Sequence, residues 1–195
     1  KAYECVELHK KWLWSLINHL RKTNEGLVDV AVAYLSSNSV DMLLSMLACS
    51  CPSLTHDGSH IAALLNTRWT STEMVKALGS QNPNGSATVI LYGDGFEAVA
   101  SEVANQLNHV TICWPIPSFS FQFSTPTDFS RRKMKHGQTS MSKVFTVDDI
   151  ARKGDPRDAM IVFTSGTTGG AKGVRLSHRA IAIQSMAKLG DPCGY

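Results

Sequence analysis

The residues best suited to chemistry lie near the end of the chain, in MIVFTSGTTGGAKGVRLSH, Met160 to His178. An apolar run leads into Thr164, Ser165, Gly166, Thr167, Thr168 and Gly169, and one cation, Lys172, follows three residues later. Small residues let backbone N–H groups come close to a ligand, and successive N–H groups in a glycine-rich turn form a concave cradle for an anion. Hydroxyl groups add donors, and a lysine supplies a point charge for a phosphate. Thr164, Ser165, Gly166, Thr167, Thr168, Gly169 and Lys172 are therefore the candidate polyphosphate-binding residues.

A Walker loop, GxxxxGK[ST], is excluded. Counted from Gly166, its second glycine falls on Ala171, and Gly173 stands where Ser or Thr would hold magnesium. The residues after the loop also read as a short strand, VRL, before a helix starting near Ser177, whereas a Walker loop opens a helix directly.

IVFTSGTTGGAKGV closely resembles the phosphate-binding signature of the adenylate-forming superfamily: an apolar strand, TSGTTG, one variable residue, a position that is usually proline, and Lys-Gly. Ala171 stands at the usual proline, a change that costs some loop rigidity and no donor or charge. Upstream, VDVAVAYLSSNSVDMLLSMLA is similar to the family's strand, Asn-Ser and helix segment. HIAALLNTRWTSTEMVKAL resembles its strand ending in Leu-Asn-x-Arg, which puts Asn66 and Arg68 in structural roles. LLNTRWT is also similar to ligases that join coenzyme A to o-succinylbenzoate. CSCPSLTHDGS is longer than the family's usual connection, through a lineage-specific insertion or a defect in the gene model.

The resemblance implies an acyl-CoA synthetase or acid–thiol ligase. ATP with Mg2+ would activate a small carboxylate to an acyl-adenylate, and coenzyme A would take the acyl group. It implies residues 164 to 172 as holders of the β- and γ-phosphates, with Lys172 the electrostatic contact and Thr167 and Thr168 donors. No residue in the chain is assigned to a metal. The family's adenine, ribose and catalytic-lysine segments are expected downstream of Tyr195, so these residues alone are expected not to catalyse the reaction. A truncated or degenerate nucleotide-binding module is the alternative.

The elements that must position the loop follow a βα rhythm. Residues 4 to 21 read as an amphipathic helix, with Val6, Leu13, Leu16, Ile17 and Leu20 on one face and Glu, His and Lys between them. Strands are expected at 28–35, 60–65, 87–92, 109–114 and 159–165, and helices at 40–48, 70–78 and 95–107. Thr70 and Glu73 make a cap-like pair at the start of one helix. The fold expected is α/β, a partial Rossmann-like and mostly parallel sheet flanked by helices. Residues 1–195 would form part of an N-terminal AMP-binding domain, with an irregular excursion over 115–143. A sheet cut after the phosphate loop would leave an unpaired edge, and poor solubility is expected for the isolated piece.

The bulk numbers exclude other classes. The 195 residues are 43% hydrophobic and 18% charged, as in globular proteins. A net charge of +3, from 19 basic and 16 acidic residues, is too mild for a nucleic-acid binder. RRKMKH, Arg131 to His136, reads as a solvated surface segment, and Phe119, Phe121 and Phe123 as one face of a strand. The cysteines at 5, 49, 51, 113 and 193 are odd in number and irregularly spaced, which indicates neither a disulfide framework nor zinc. In HDGSH, Gly58 and Ser59 oppose the helix that a zinc protease motif needs. His178 is expected either at the active site or in capping and packing. No apolar run is long enough for a membrane span. The chain opens on Lys1 with a helix under way, so a piece of a longer protein is expected, in the cytoplasm or the lumen of an organelle such as a plastid or peroxisome.

Overall fold

The computed structural model describes residues 2–27, 29–50, 60–81, 86–118, 157–164 and 171–189. In chain order the elements are α1 (Ala2–Thr23), β1 (Val30–Leu35), α2 (Val40–Cys49), β2 (His60–Leu64), α3 (Ser71–Gln81), β3 (Ala87–Tyr92), α4 (Glu97–Gln106), β4 (Thr111–Pro115), β5 (Asp158–Thr164), β6 (Lys172–Ser177) and α5 (His178–Leu189). The six strands form one sheet in the order β4-β3-β1-β2-β5-β6. The first five are parallel, and β6 runs antiparallel to β5. The α/β expectation holds, with that one strand reversed.

Alternation along β1 explains the two helical layers. Val30, Val32 and Tyr34 face α1 and α2, where they pack with Leu13, Ile17, Leu20 and Cys49. Ala33 and Leu35 face α3 and α4, where they pack with Met74, Leu78, Ala100, Val103 and Leu107. A strand turns successive side chains to opposite faces, so a central strand covered on both sides must be apolar throughout. All six residues of β1 are buried.

The buried stripe of α1 is Cys5, His9, Leu13, Ile17 and Leu20, three to four residues apart. Burying side chains such as Leu13 and Ile17 contributes about 1.5–3 kcal/mol each. His9 belongs to this stripe, which corrects its placement on the polar face. The reason is that both ring nitrogens find carbonyl oxygens, Nδ1 to Cys5 at 2.9 Å and Nε2 to Pro117 at 3.2 Å. A buried polar ring is tolerated when it is hydrogen-bonded.

The caps were legible locally. Ser39 Oγ accepts from the Met42 N–H at 3.1 Å and starts α2. At α3, Thr70 N–H and Oγ1 donate to Glu73 Oε2 at 2.8 and 2.9 Å, and the Glu73 N–H donates back to Thr70 Oγ1 at 3.3 Å, a reciprocal capping box. The fourth helix begins at Glu97, two residues later than its expected start at Gly95. Gly95 has φ +83°, a left-handed value that ends a turn and cannot join a right-handed helix.

Candidate functional site

In a parallel sheet all strands end at the same edge. Here Leu35, Leu64, Tyr92, Pro115 and Thr164 close β1 to β5 at one side of the molecule. Open α/β sheets bind their ligands outside this carboxyl edge. β5 is held by parallel pairing with β2, Ala62 to Met160, Ala63 to Ile161 and Leu64 to Val162. Its alternate residues Ala159 and Ile161 are buried, which anchors the strand in the core.

β5 and β6 form a hairpin whose last pair is Thr164 and Lys172. Thr164 Oγ1 donates to the Lys172 carbonyl at 3.3 Å. Both residues are exposed at the carboxyl edge, so the lysine ammonium is available to a ligand there. Of the candidate phosphate-binding residues, these two are brought together; Ser165, Gly166, Thr167, Thr168 and Gly169 connect them and lie outside the described residues. The chemistry of the described pair is compatible with an anionic ligand: one exposed cation at the mouth of a short glycine-rich connection.

The Leu-Asn-x-Arg turn supports this hairpin. The Leu65 N–H donates to the Tyr34 carbonyl at 3.0 Å, which extends the β1–β2 pairing by one residue. Asn66 then closes a local turn: Oδ1 accepts from the Arg68 N–H and its carbonyl from the Trp69 N–H, each at 3.0 Å. The turn aims Trp69 at Phe163, with ring centroids 5.6 Å apart and planes at 69°. Phe163 directly precedes Thr164. An edge-to-face aromatic pair of this kind contributes about 0.5–1.5 kcal/mol beyond its area. Only the β2–β5 pairing reveals that the two aromatics brace the hairpin.

A second close approach shapes the same edge. β1 and β3 are neighbours where the chain changes direction across the sheet, the topological switch point. The Gly93 N–H donates to the Leu35 carbonyl at 3.0 Å, and a Cβ on Gly93 would lie 2.9 Å from Ser36 Cβ. Glycine is needed there for space.

His178 is not part of this edge. β6 is antiparallel, so it carries the chain away from Lys172, and Ser177 pairs with Asp158 at the opposite end of β5. Five strand steps at about 3.4 Å each separate the two ends by roughly 17 Å. The Ser177 hydroxyl caps α5 by accepting from the Ala180 N–H at 3.1 Å, and the His178 N–H donates to the Arg157 carbonyl at 3.0 Å. Capping and packing is the observed setting. Arg175 and Asp158 form an exposed ion pair at 2.9 Å across the hairpin, of a kind worth about 0–1 kcal/mol.

Among the described residues, no group of three or more His, Cys, Asp or Glu side chains could hold a metal. His60 lies in a strand with Nε2 bonded to the Cys49 carbonyl at 2.9 Å; His56 and Asp57 of HDGSH lie outside the described residues, as do RRKMKH and the Phe119 to Phe123 stretch. Cys5, Cys49 and Cys113 are free thiols. Burial pushes the Cys49 thiol up to about 12, which makes it inert at neutral pH. No helix of the described residues is long and apolar enough to cross a membrane.

The profile of the AMP-binding enzyme family matches residues 15–193. The chain belongs to the AMP-binding enzyme family. It is 35% identical over 135 residues to the chloroplastic/peroxisomal 2-succinylbenzoate–CoA ligase of Arabidopsis thaliana, covering 66% of this chain and 22% of that one. Its fold matches o-succinylbenzoate CoA synthetase (MenE) from Bacillus subtilis in complex with the acyl-adenylate intermediate, with a TM-score of 0.52 and 21% identity, over 98% of this chain and 31% of that one. It also matches ATP-bound MatB from Rhodopseudomonas palustris, with a TM-score of 0.53 and 19% identity, over 96% and 31%. The chain thus spans less than a third of each of these relatives. Within it, the six-stranded, mostly parallel sheet flanked by helices is in place.

Proposed function

We propose that this chain is part of an ATP-dependent ligase that converts a small carboxylic acid, through its acyl-adenylate, into a coenzyme A thioester. The observation that carries the reading is the β5–β6 hairpin, which sets Lys172 opposite Thr164 at the carboxyl edge and spans them with the Ser165-to-Gly169 motif. In this reading Lys172 lends its charge to the β- and γ-phosphates, and Ser165, Thr167 and Thr168 donate to their oxygens, with Thr164 fixing the mouth of the loop through its bond to the Lys172 carbonyl and Gly166 and Gly169 leaving the backbone room to approach. ATP supplies the phosphoanhydride whose cleavage drives the activation, with Mg2+ bound to its phosphates. Membership of the family and the strand context of the motif favour this over a module that binds nucleotide without chemistry.

The acid we infer is o-succinylbenzoate, on the strength of the 35% identity to the Arabidopsis enzyme and the likeness of LLNTRWT to such ligases. A plastid or peroxisomal location goes with that inference. Residues 1–195 serve as the phosphate-gripping portion of the larger domain, and the groups that complete catalysis lie beyond them.

The test is acid-dependent ATP–pyrophosphate exchange by the full-length protein. o-Succinylbenzoate should support exchange, long-chain fatty acids should not, and Lys172→Ala should slow exchange about 10–100-fold, as expected for losing one charge-assisted contact. No exchange with any acid tested, together with retained ATP binding, would establish the non-catalytic module instead.

A further inference from the structure

The edge of the sheet opposite the phosphate hairpin holds a group of polar atoms that the proposed reaction does not use. α1 and α2 end there, and β2 begins there. The Arg21 nitrogens Nε, Nη1 and Nη2, the Ser50 hydroxyl and His60 Nδ1 are all closed off from solvent, and none has a hydrogen-bond partner among the described residues. The environment is cationic. Burial lowers the His60 pKa, the bond to the Cys49 carbonyl opposes that, and the nearby charges of Arg21, His178 and Arg157 lower it further.

A guanidinium cannot shed its proton, so burial without a partner is not relieved by neutralisation as it would be for lysine. The carboxyl ends of α1 and α2 oppose the positive charge with their dipoles, which weakens the demand for a counter-ion. That field supplies no acceptor to the five guanidinium N–H groups, and unmade hydrogen bonds to a buried charge are the larger cost. Among the described residues, what Arg21 lacks is an oxyanion.

His60 narrows the choice. Its Nε2 faces the Cys49 carbonyl, which can only accept, so Nε2 carries the proton. In the neutral ring Nδ1 is then an acceptor. A ligand that satisfies both Arg21 and His60 must present anionic oxygens and one O–H.

We propose that Arg21, Ser50 and His60 form a second anion site, which binds a protonated phosphate, either hydrogen phosphate or a phosphate monoester monoanion. The guanidinium fork takes two phosphate oxygens, the Ser50 hydroxyl donates to a third, and the phosphate O–H donates to His60 Nδ1. The site is separated from the Lys172 hairpin by the length of the strands, so it binds independently of the nucleotide phosphates.

The test is thermal melting of the full-length protein in inorganic phosphate, with sulfate and chloride at matched ionic strength. Phosphate should raise Tm saturably, by about 2–3 °C at a hundredfold excess over Kd. Sulfate, which carries no O–H at neutral pH, should give a smaller rise. Arg21→Met should abolish the phosphate response while melting at or above the wild-type temperature in chloride, because an unpaired buried charge has been removed. Lys172→Ala should keep the response. Loss of the response in Lys172→Ala, or its retention in Arg21→Met, would overturn the proposal. So would the absence of any phosphate effect, whether Arg21→Met then melts as the wild type does or well below it. Asp57→Asn reproducing such a loss would identify the partner of Arg21 as a carboxylate of the chain itself, three residues ahead of His60.

Discussion

Replacing Gly93 with Ala tests how tightly the switch point is built. Gly93 does not adopt a positive φ, so its backbone would accept any residue, and only space is at issue. Elsewhere such a Gly→Ala change stabilises a protein by about 0.4–1 kcal/mol through the unfolded chain. Here the new Cβ would lie 2.9 Å from Ser36 Cβ and closer still to Oγ. The Oγ can rotate away, but Ser36 Cβ is fixed to a backbone held by the 3.0 Å bond between the Gly93 N–H and the Leu35 carbonyl. Overpacking of this kind costs about 1–3 kcal/mol. Ser36→Gly removes both clashing atoms and leaves Ser36 Cα at 3.5 Å, an ordinary contact. It gives up only the exposed bond from Ser36 Oγ to the Ser37 carbonyl. In the Ser36→Gly background, Gly93→Ala should therefore be neutral or stabilising. A double-mutant cycle by urea denaturation reads this directly as a coupling of about 1–3 kcal/mol. Additive effects of the two substitutions would refute the steric account.

Further predictions concern local chemistry. The Glu73 carboxyl is held below its ordinary value by the hydrogen bonds it accepts from the Thr70 N–H and hydroxyl. A depressed carboxylate contributes stability above its unfolded pKa of about 4.3 and loses it as pH falls through the native value. Wild type and Glu73→Gln should thus differ most in denaturant stability above that pH and converge below it; a constant difference would show that the capping box is pH-insensitive. The Cys49 thiol, raised to about 12 by burial, should have a thiolate fraction of about one in ten thousand at pH 8. Iodoacetamide should leave it unmodified in the native protein and label it after unfolding, read by mass spectrometry of its peptide. Native labelling at the rate of a free thiol would mean that β1 and α2 do not enclose it.

What could be read without coordinates was local. The proposed phosphate cradle at the TSGTTG motif and Lys172 is such a reading, because close backbone approach demands small residues in consecutive positions. The alternation of β-branched runs with helical stripes declares a covered parallel sheet, and Ser39, Thr70 and Glu73 mark helix starts through hydrogen bonds that span three residues. Each of these signals needs only neighbours along the chain. Strand order needs more. The β2–β5 pairing brings Trp69 to Phe163 across nearly a hundred residues, and no periodicity encodes that contact. The reversal of β6 sends His178 to the far edge because direction is a property of the pairing, not of the residues in the strand. His9 reads as polar until the carbonyls of Cys5 and Pro117 close over it, and Gly93 reads as a simple turn residue until Ser36 faces it. Arg21, Ser50 and His60 are ordinary at their places in the chain; packing α1 and α2 against β2 is what withdraws them together from water. The sequence by itself determined the strand and helix rhythm and the spacing of the proposed phosphate-binding groups, and the tertiary structure alone decided that Thr164 and Lys172 meet at one edge of the sheet while His60 begins a strand at the other.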